Sequence, residues 1–162
     1  MKKLKYTLES KEVKYLVENN PNLLQLFQKK DEVIVNIDDD YFVSLVGTIV
    51  AQQLSGKVAR TIFDRLNKLF DHEITAEKIL NMPEENLRSV GLSFQKIKYF
   101  KSLSECYITK AIDLDHLSDM SDDSIIEMLT KIKGIGVWSA QMFLLFSLGR
   151  EDVFSVLDLG LR

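Results

Sequence analysis

The chain has 162 residues, of which 46% are hydrophobic, and a formal net charge of −3. This length and composition can bury a substantial core in one compact unit or in two packed lobes. Cys106 is the only cysteine, which excludes a disulfide framework and a cysteine-ligated iron–sulfur cluster within one chain. No apolar run approaches the roughly 20 residues of a membrane span, and Met1 is not followed by the apolar core of a signal peptide. We therefore expect a cytoplasmic protein without a membrane partner.

Apolar residues recur at helical spacing along almost the whole chain, which predicts a mainly helical protein. Ser10 is the predicted N-cap of a first helix, and residues 23–27 are predicted to form a second, short one. Residues 33–35 are interpreted as a brief extended segment. The three aspartates at 38–40 are expected to cap the next helix. The almost wholly apolar residues 41–51 predict that this helix lies at the centre of the core.

The remaining predicted elements are also helices. Ser55 is expected to cap a helix with one apolar face, formed by Val58, Ile62, Leu66 and Leu69. Two short helices are predicted around Ile79 and Leu87. A long amphipathic helix begins at Ser93, and Ser121 opens the helix that leads into a turn containing two glycines.

That turn lies in the stretch Lys-Ile-Lys-Gly-Ile-Gly-Val-Trp-Ser-Ala, residues 131–140, the most informative part of the sequence. Gly134 and Gly136, separated by Ile135, stand between two helical patterns. Both glycines tolerate a positive φ and lack a Cβ, so their N–H groups can line up toward an anion at the start of the next helix. A DNA phosphate suits such a hairpin, and a tight helix–helix turn without a ligand is the alternative.

Two further blocks accompany the hairpin. Residues 42–55 read Phe-Val-Ser-Leu-Val-Gly-Thr-Ile-Val-Ala-Gln-Gln-Leu-Ser, and Asp158 lies 22 residues after the second glycine of the hairpin. Together the three blocks resemble the helix-hairpin-helix DNA glycosylase superfamily and, within it, the alkylpurine (3-methyladenine) DNA glycosylases. The resemblance implies an all-α, two-lobed fold, with one lobe from residues 1–36 plus 117–162 and the other from residues 37–116.

Asp158 falls where this family places its catalytic aspartate. Cleavage of an N-glycosidic bond builds positive charge on C1′ of the sugar, and a nearby carboxylate stabilises that charge and orients or deprotonates the attacking water. One carboxylate suffices for an alkylated purine, because the cationic base departs as a neutral molecule with little acid assistance. The resemblance therefore implies a catalytic Asp158. An N-cap on a following helix is the alternative, and the two roles can coexist.

Trp138 stands two residues after Gly136, where lyase-competent members of the superfamily have a lysine that forms a Schiff base with the sugar. An indole has no nucleophilic amine, so the resemblance implies a monofunctional hydrolase. An electron-rich ring also suits an electron-poor alkylated purine, which makes Trp138 the candidate base-pocket residue. A core tryptophan beneath the hairpin is the alternative.

A purine must leave the duplex before it reaches such a pocket, and the protein fills the gap left behind. Gln53 and Leu54 follow the apolar helix and precede a helix start, so by resemblance either is the candidate wedge, with Gln53 favoured by family position. Ordinary turn residues are the alternative. His72 and His116 have no companions at metal-ligand spacing, so neither a metal nor a cofactor is expected.

The net charge of −3 counts against nucleic-acid binding by the surface as a whole. Lys131 and Lys133 nevertheless flank the hairpin, and Lys57 and Arg60 follow the candidate wedge, so a local positive field is expected to attract phosphate. Lysines on an ordinary solvated face are the alternative. The predicted partner is double-stranded DNA containing alkylated bases, and the predicted function is a base excision repair glycosylase that releases alkylated purines such as 3-methyladenine. A catalytically idle helix-hairpin-helix DNA-binding module and an α-helical protein-interaction domain are the alternatives.

The chain stops four residues after Asp158, whereas relatives continue into a helix that this aspartate caps. Residues 159–162 alone are too few for a helix to hold its shape. We therefore expect a C-terminally truncated form that lacks its last helix and has little activity. The full-length protein is expected to be a monomer.

Overall fold

The structure is a computed structural model that describes residues 2–156 and residue 158. The chain divides into two compact units, Met1–Asp39 and Asp40–Arg162. In the part of the chain that is described, no helix is both long enough and apolar enough to cross a membrane. The division into two lobes stays a prediction, and the expected remnant of a helix at 159–162 lies outside the described residues.

The first unit is a two-stranded antiparallel sheet with helices between its strands. β1 (Lys2–Tyr6) pairs with β2 (Val33–Ile37), and Tyr6 lies opposite Val33. The connection contains α1 (Lys11–Asn19), a 3₁₀ turn (Pro21–Leu23) and α2 (Leu24–Gln28). The extended segment predicted at 33–35 is confirmed as part of β2. The pattern of the sequence does not predict β1, because three of its five residues are lysines and the alternation is too short to recognise.

The regular secondary structure among the described residues of the second unit is entirely helical. Its α-helices there are α3 (Tyr41–Ala51), α4 (Gly56–Leu69), α5 (Ala76–Asn81), α6 (Glu84–Ser89), α7 (Phe94–Ile108), α8 (Asp122–Leu129) and α9 (Val137–Phe143). A 3₁₀ turn precedes α8, and a π-helical turn continues α9 (Leu117–Asp119 and Leu144–Leu148). The prediction of a mainly helical protein is confirmed.

Several of the predicted helix starts carry side-chain caps. Asp40 Oδ1 accepts a hydrogen bond from the N–H of Val43 at 2.9 Å, which begins α3. The hydroxyl groups of Ser93 and Ser121 accept from the N–H three residues later, at 3.2 and 3.3 Å, and begin α7 and α8. A cap of this kind stabilises a helix by about 1 kcal/mol, so these residues fix where each helix begins.

The core of the second unit forms around α3. Leu45, Val46 and Ile49 on this helix are completely buried. The neighbouring helices α4, α7 and α8 contribute further completely or almost completely buried side chains: Leu66, Ile97, Phe100, Leu103, Ile125 and Leu129. The predicted apolar face of α4 is wrong at Val58, which is 45% exposed, because this residue lies in the first turn of the helix beside an exposed loop.

The end of α9 departs from regular α-helix. Its π-helical turn, Leu144–Leu148, contains the buried Ser147, whose hydroxyl forms a hydrogen bond with the hydroxyl of Ser44 on α3. Arg150 follows and donates from Nη2 to the carbonyl of Leu117 at 3.2 Å. These contacts fix the point from which the chain leaves the helical core toward residue 158.

Candidate nucleic-acid interface and active site

The hairpin, residues 131–136, connects α8 to α9 and is anchored from its inner side. The N–H of Ile132 donates to Leu129 O, and the N–H of Ile135 donates to Ile132 O, both at 3.1 Å. The side chains of Ile132 and Ile135 are only 1% and 3% exposed. Burial of an isoleucine stabilises a fold by about 1.5–3 kcal/mol, so packing holds the hairpin in place. The side chain and the N–H of Ile135 are thus engaged within the protein.

The two glycines of the hairpin serve different purposes. Gly134 has a φ of 87°, and a Cβ on it would lie 2.2 Å from Cδ2 of Tyr99. Gly136 has a φ of −96°, and a Cβ on it would meet no atom of the described residues within 4 Å. Only Gly134 uses the freedom at positive φ that both glycines offer. Gly134 is therefore required by the fold, whereas Gly136 leaves open space at the surface.

Gly136 is also the N-cap residue of α9. A glycine has no side chain with which to satisfy the N–H groups of the first helical turn, which carry partial positive charge. The next two residues are exposed, Val137 by 44% and Trp138 by 40%. This end of α9 is thus open to a molecule approaching from solvent, and the alternative of a core tryptophan is wrong.

Trp138 and Asp158 meet although 20 positions separate them in the sequence. The indole Nε1–H donates to Oδ2 of Asp158 at 2.9 Å. The N–H of Asp158 in turn donates to the carbonyl of Ser155 at 3.2 Å, and Ser155 is buried. The structure thus joins the candidate base-pocket residue to the candidate catalytic carboxylate, a contact that the sequence analysis does not predict.

The wedge turn, residues 52–55, connects α3 to α4. Gln53 is exposed and has a φ of 58°, which is uncommon for a residue with a side chain. Leu54 is half-buried, packs against the core, and donates its N–H to Ala51 O at 3.1 Å. Of the two candidate wedge residues, Gln53 is therefore the one that faces solvent.

Two residues missed by the sequence analysis hold the wedge turn. Gln52 Nε2 donates to Gly134 O at 2.6 Å, which ties the turn to the hairpin. Lys96 Nζ donates to Val50 O at 2.7 Å and to Gln52 O at 2.9 Å. Partial burial lowers the pKa of the Lys96 ammonium group. No local pattern signals these contacts, because each partner is more than forty positions away in the sequence.

The predicted cations lie on the surface. Lys57, Arg60 and Lys133 are exposed. Lys131 is exposed as well and lies 3.8 Å from a carboxylate oxygen of Glu127. An attraction between exposed groups at this distance is worth well under 1 kcal/mol, so it does not prevent Lys131 from attracting phosphate.

The two histidines, His72 and His116, are exposed. The hydrogen bond from His116 to Asp113 raises the pKa of the His116 imidazole. Among residues 2–156 and 158, no group of three or more histidine, cysteine, aspartate and glutamate side chains is arranged to hold a metal ion.

Comparison with known proteins gives consistent matches. The profile of the HhH-GPD superfamily base excision DNA repair proteins matches residues 46–162. A DNA-3-methyladenine glycosylase of Saccharomyces cerevisiae is 34% identical over an alignment of 163 positions, which covers 91% of this chain and 55% of the yeast protein. The chain spans about half the length of the curated relatives that it matches, between 52% and 55% for three of them.

Two solved structures share the fold. The crystal structure of DNA-3-methyladenine glycosidase from Bacillus halodurans has a TM-score of 0.84 and 38% identity, and the match covers 98% of this chain and 73% of that one. The 3-methyladenine DNA glycosylase of Schizosaccharomyces pombe, in complex with abasic DNA, has a TM-score of 0.73 and 35% identity over 78% of this chain and 63% of that one. The predicted helix-hairpin-helix glycosylase fold is confirmed. The chain belongs to the HhH-GPD superfamily of base excision DNA repair proteins.

Proposed function

We propose that this chain is a monofunctional DNA glycosylase that hydrolyses the N-glycosidic bond of alkylated purines, such as 3-methyladenine, in duplex DNA. The hydrogen bond between Trp138 and Asp158, beside the open start of α9, is the observation that carries the proposal. A carboxylate held next to an exposed aromatic ring combines the two groups that this reaction needs. The relatives named 3-methyladenine glycosylases support the choice of substrate.

Asp158 supplies the negative charge that the transition state needs. Loss of the base leaves positive charge on C1′ and the ring oxygen of the sugar, and the carboxylate of Asp158 stabilises it electrostatically. The same group orients or deprotonates the water that attacks C1′. A 3-methyladenine base is cationic before the bond breaks and leaves as a neutral purine, so a second carboxylate is not needed as a general acid.

Trp138 acts on both the base and the carboxylate. Its exposed ring stacks on the extruded base, and attraction between the ring and a cationic purine contributes about 0.5–2 kcal/mol. Its Nε1–H holds Oδ2 of Asp158, which limits the orientations that the carboxylate adopts. Because the side chain has no amine, no Schiff base forms at this position, and the reaction ends with an abasic site.

The hairpin and the wedge turn handle the DNA. Gly134, Ile135 and Gly136 bring backbone close to a phosphate, which positions the duplex without reading its sequence. Gln53, the exposed member of the candidate wedge pair, fills the gap left by the extruded base, and Leu54 supports it from the core side. The exposed lysines around both loops add salt-dependent attraction to the phosphates.

Release of the modified base is the direct test. The chain is incubated with duplex DNA alkylated by a methylating agent, and free 3-methyladenine and 7-methylguanine are measured by chromatography beside a heat-released standard. The proposal predicts free base with one abasic site formed per base and no strand cleavage. Salt-sensitive binding to the duplex without any free base would instead identify an idle DNA-binding module.

A further inference from the structure

Helix α7 contacts both the hairpin and the wedge turn. Lys96, Tyr99 and Ser102 follow one another at intervals of three residues on this helix, so they lie along one side of it. Lys96 reaches the wedge turn, while Tyr99 and Ser102 reach the hairpin. One rigid helix therefore sets the separation of the two loops.

Close packing fixes the hairpin on α7. The ring of Tyr99 occupies the position where Gly134 would carry a side chain. The hydroxyl oxygen of Ser102 accepts a hydrogen bond from the N–H of Lys133 at 3.3 Å. With the two buried isoleucines of the hairpin, these contacts leave it little room to shift.

The wedge turn depends instead on hydrogen bonds to its backbone. The last carbonyl groups of an α-helix have no partner within the helix and carry partial negative charge. At the end of α3 the ammonium group of Lys96 donates to two such carbonyls, those of Val50 and Gln52. Gln53 follows directly in the left-handed region, so these bonds hold the residue that precedes the exposed candidate wedge.

We propose that Lys96 is a positioning residue for base extrusion, because it holds the carboxyl end of α3 so that Gln53 projects at a fixed place relative to the hairpin. The hydrogen bond from Gln52 to the carbonyl of Gly134 links the two loops directly. Lys96 acts through the wedge turn and does not contact the sugar or the base. This inference rests on the proposed glycosylase function.

Amide hydrogen exchange tests whether Lys96 holds the wedge turn, and this measurement does not require activity. Lys96→Met keeps the aliphatic length and removes the donors, and Lys98→Met on the exposed side of the same helix is the matched control. We expect the exchange of the Leu54 amide, which bonds to Ala51 O, to accelerate at least about tenfold in Lys96→Met. The Ile135 amide should keep its wild-type rate, and Lys98→Met should change neither.

Measurements of base extrusion and of base release test whether the contacts of Lys96 support the reaction. A duplex with 2-aminopurine beside an alkylated or abasic site becomes more fluorescent when the neighbouring stack opens. At saturating protein, Lys96→Met should lose most of this increase and release base about tenfold more slowly, while its affinity for undamaged duplex stays within about threefold of wild type. Lys96→Arg, which keeps the charge and the donors, should recover part of the loss.

A double-mutant comparison separates positioning from general destabilisation. If Lys96 acts through Gln53, then Lys96→Met should slow base release much less in a Gln53→Gly background than in wild type. Equal slowing in both backgrounds, or unchanged Leu54 exchange in folded Lys96→Met, would overturn the inference. A wild-type chain that releases no base would overturn the proposed function, and the exchange rates would still decide whether Lys96 holds the turn.

Discussion

The hairpin and the wedge turn stand at the two ends of one hydrogen bond, from Gln52 to Gly134, yet different forces hold them. The hairpin is secured by two buried isoleucines and by the ring of Tyr99 against a glycine. The wedge turn is held mainly through its backbone, and its exposed residue Gln53 is at positive φ. In the proposed function the hairpin positions a phosphate, whereas the wedge turn places the side chain of Gln53 in the gap left by the extruded base. We therefore expect changes in the hairpin to alter stability and binding, and changes in the wedge turn to alter extrusion.

Gly134→Val should give the largest effect on the folded protein. The new side chain would clash with Tyr99 and would have to adopt a positive φ, so we expect a loss of about 3 kcal/mol in the free energy of unfolding. In a protein of this size that corresponds to a fall in Tm of roughly 6–12 °C, which calorimetry can measure. A Tm within 2 °C of wild type would correspond to a loss of about 1 kcal/mol or less in the free energy of unfolding. That result would mean that packing does not hold the hairpin.

Gln53→Gly should separate extrusion from binding. Glycine accepts the φ of 58° without strain, so the turn keeps its shape while the wedge side chain is lost. We expect base release to slow about 10–100-fold, because the extruded state loses a few kcal/mol of support. Affinity for undamaged duplex should change little. Wild-type release by this variant would move the wedge role to Leu54 or to another residue.

Gly136→Val should weaken binding without unfolding the protein. A Cβ at this position meets open space, and loss of a glycine N-cap costs under about 1 kcal/mol. The side chain would keep a phosphate away from the start of α9, so we expect damaged and undamaged duplex to bind about tenfold less tightly. Fluorescence anisotropy with both duplexes measures this. Unaltered affinity in the folded variant would favour a hairpin that is only a tight turn.

Trp138→Phe should have the smallest effect of this series. It keeps an aromatic ring but removes the Nε1–H that holds Asp158, a partly exposed hydrogen bond worth about 1 kcal/mol, so base release should slow about fivefold. Trp138→Leu removes the ring as well and should slow release further. Equal rates for the two variants would show that stacking contributes nothing and that the residue acts through the carboxylate alone.

Local signals explain how much of the fold can be predicted. The helices after residue 40 follow from their 3.6-residue apolar period, and Asp40, Ser93 and Ser121 cap them as predicted. The hairpin is visible because its two glycines lie close together in the chain. The sequence does not predict that the two glycines have different roles, because only the packing of Tyr99 against Gly134 distinguishes Gly134 from Gly136.

Contacts between distant segments account for what the sequence does not predict. The Trp138–Asp158 hydrogen bond and the Lys96 contacts join residues that no periodicity relates. The π-helical turn of Leu144–Leu148 lies in an apolar stretch that reads as ordinary helix. The catalytic assignment of Asp158 and the wedge assignment of Gln53 come from resemblance to the family, and both stay predictions.

Asp158→Asn gives the most direct test of the proposed reaction. The amide keeps the size of the side chain and can still accept from Trp138, but it cannot balance the charge on C1′. Single-turnover release of 3-methyladenine from a saturated duplex should fall by about 10²–10³-fold, and the affinity for the same duplex should stay within about threefold of wild type. Release at the wild-type rate by a folded Asp158→Asn protein would show that another group stabilises the transition state and would contradict the mechanism.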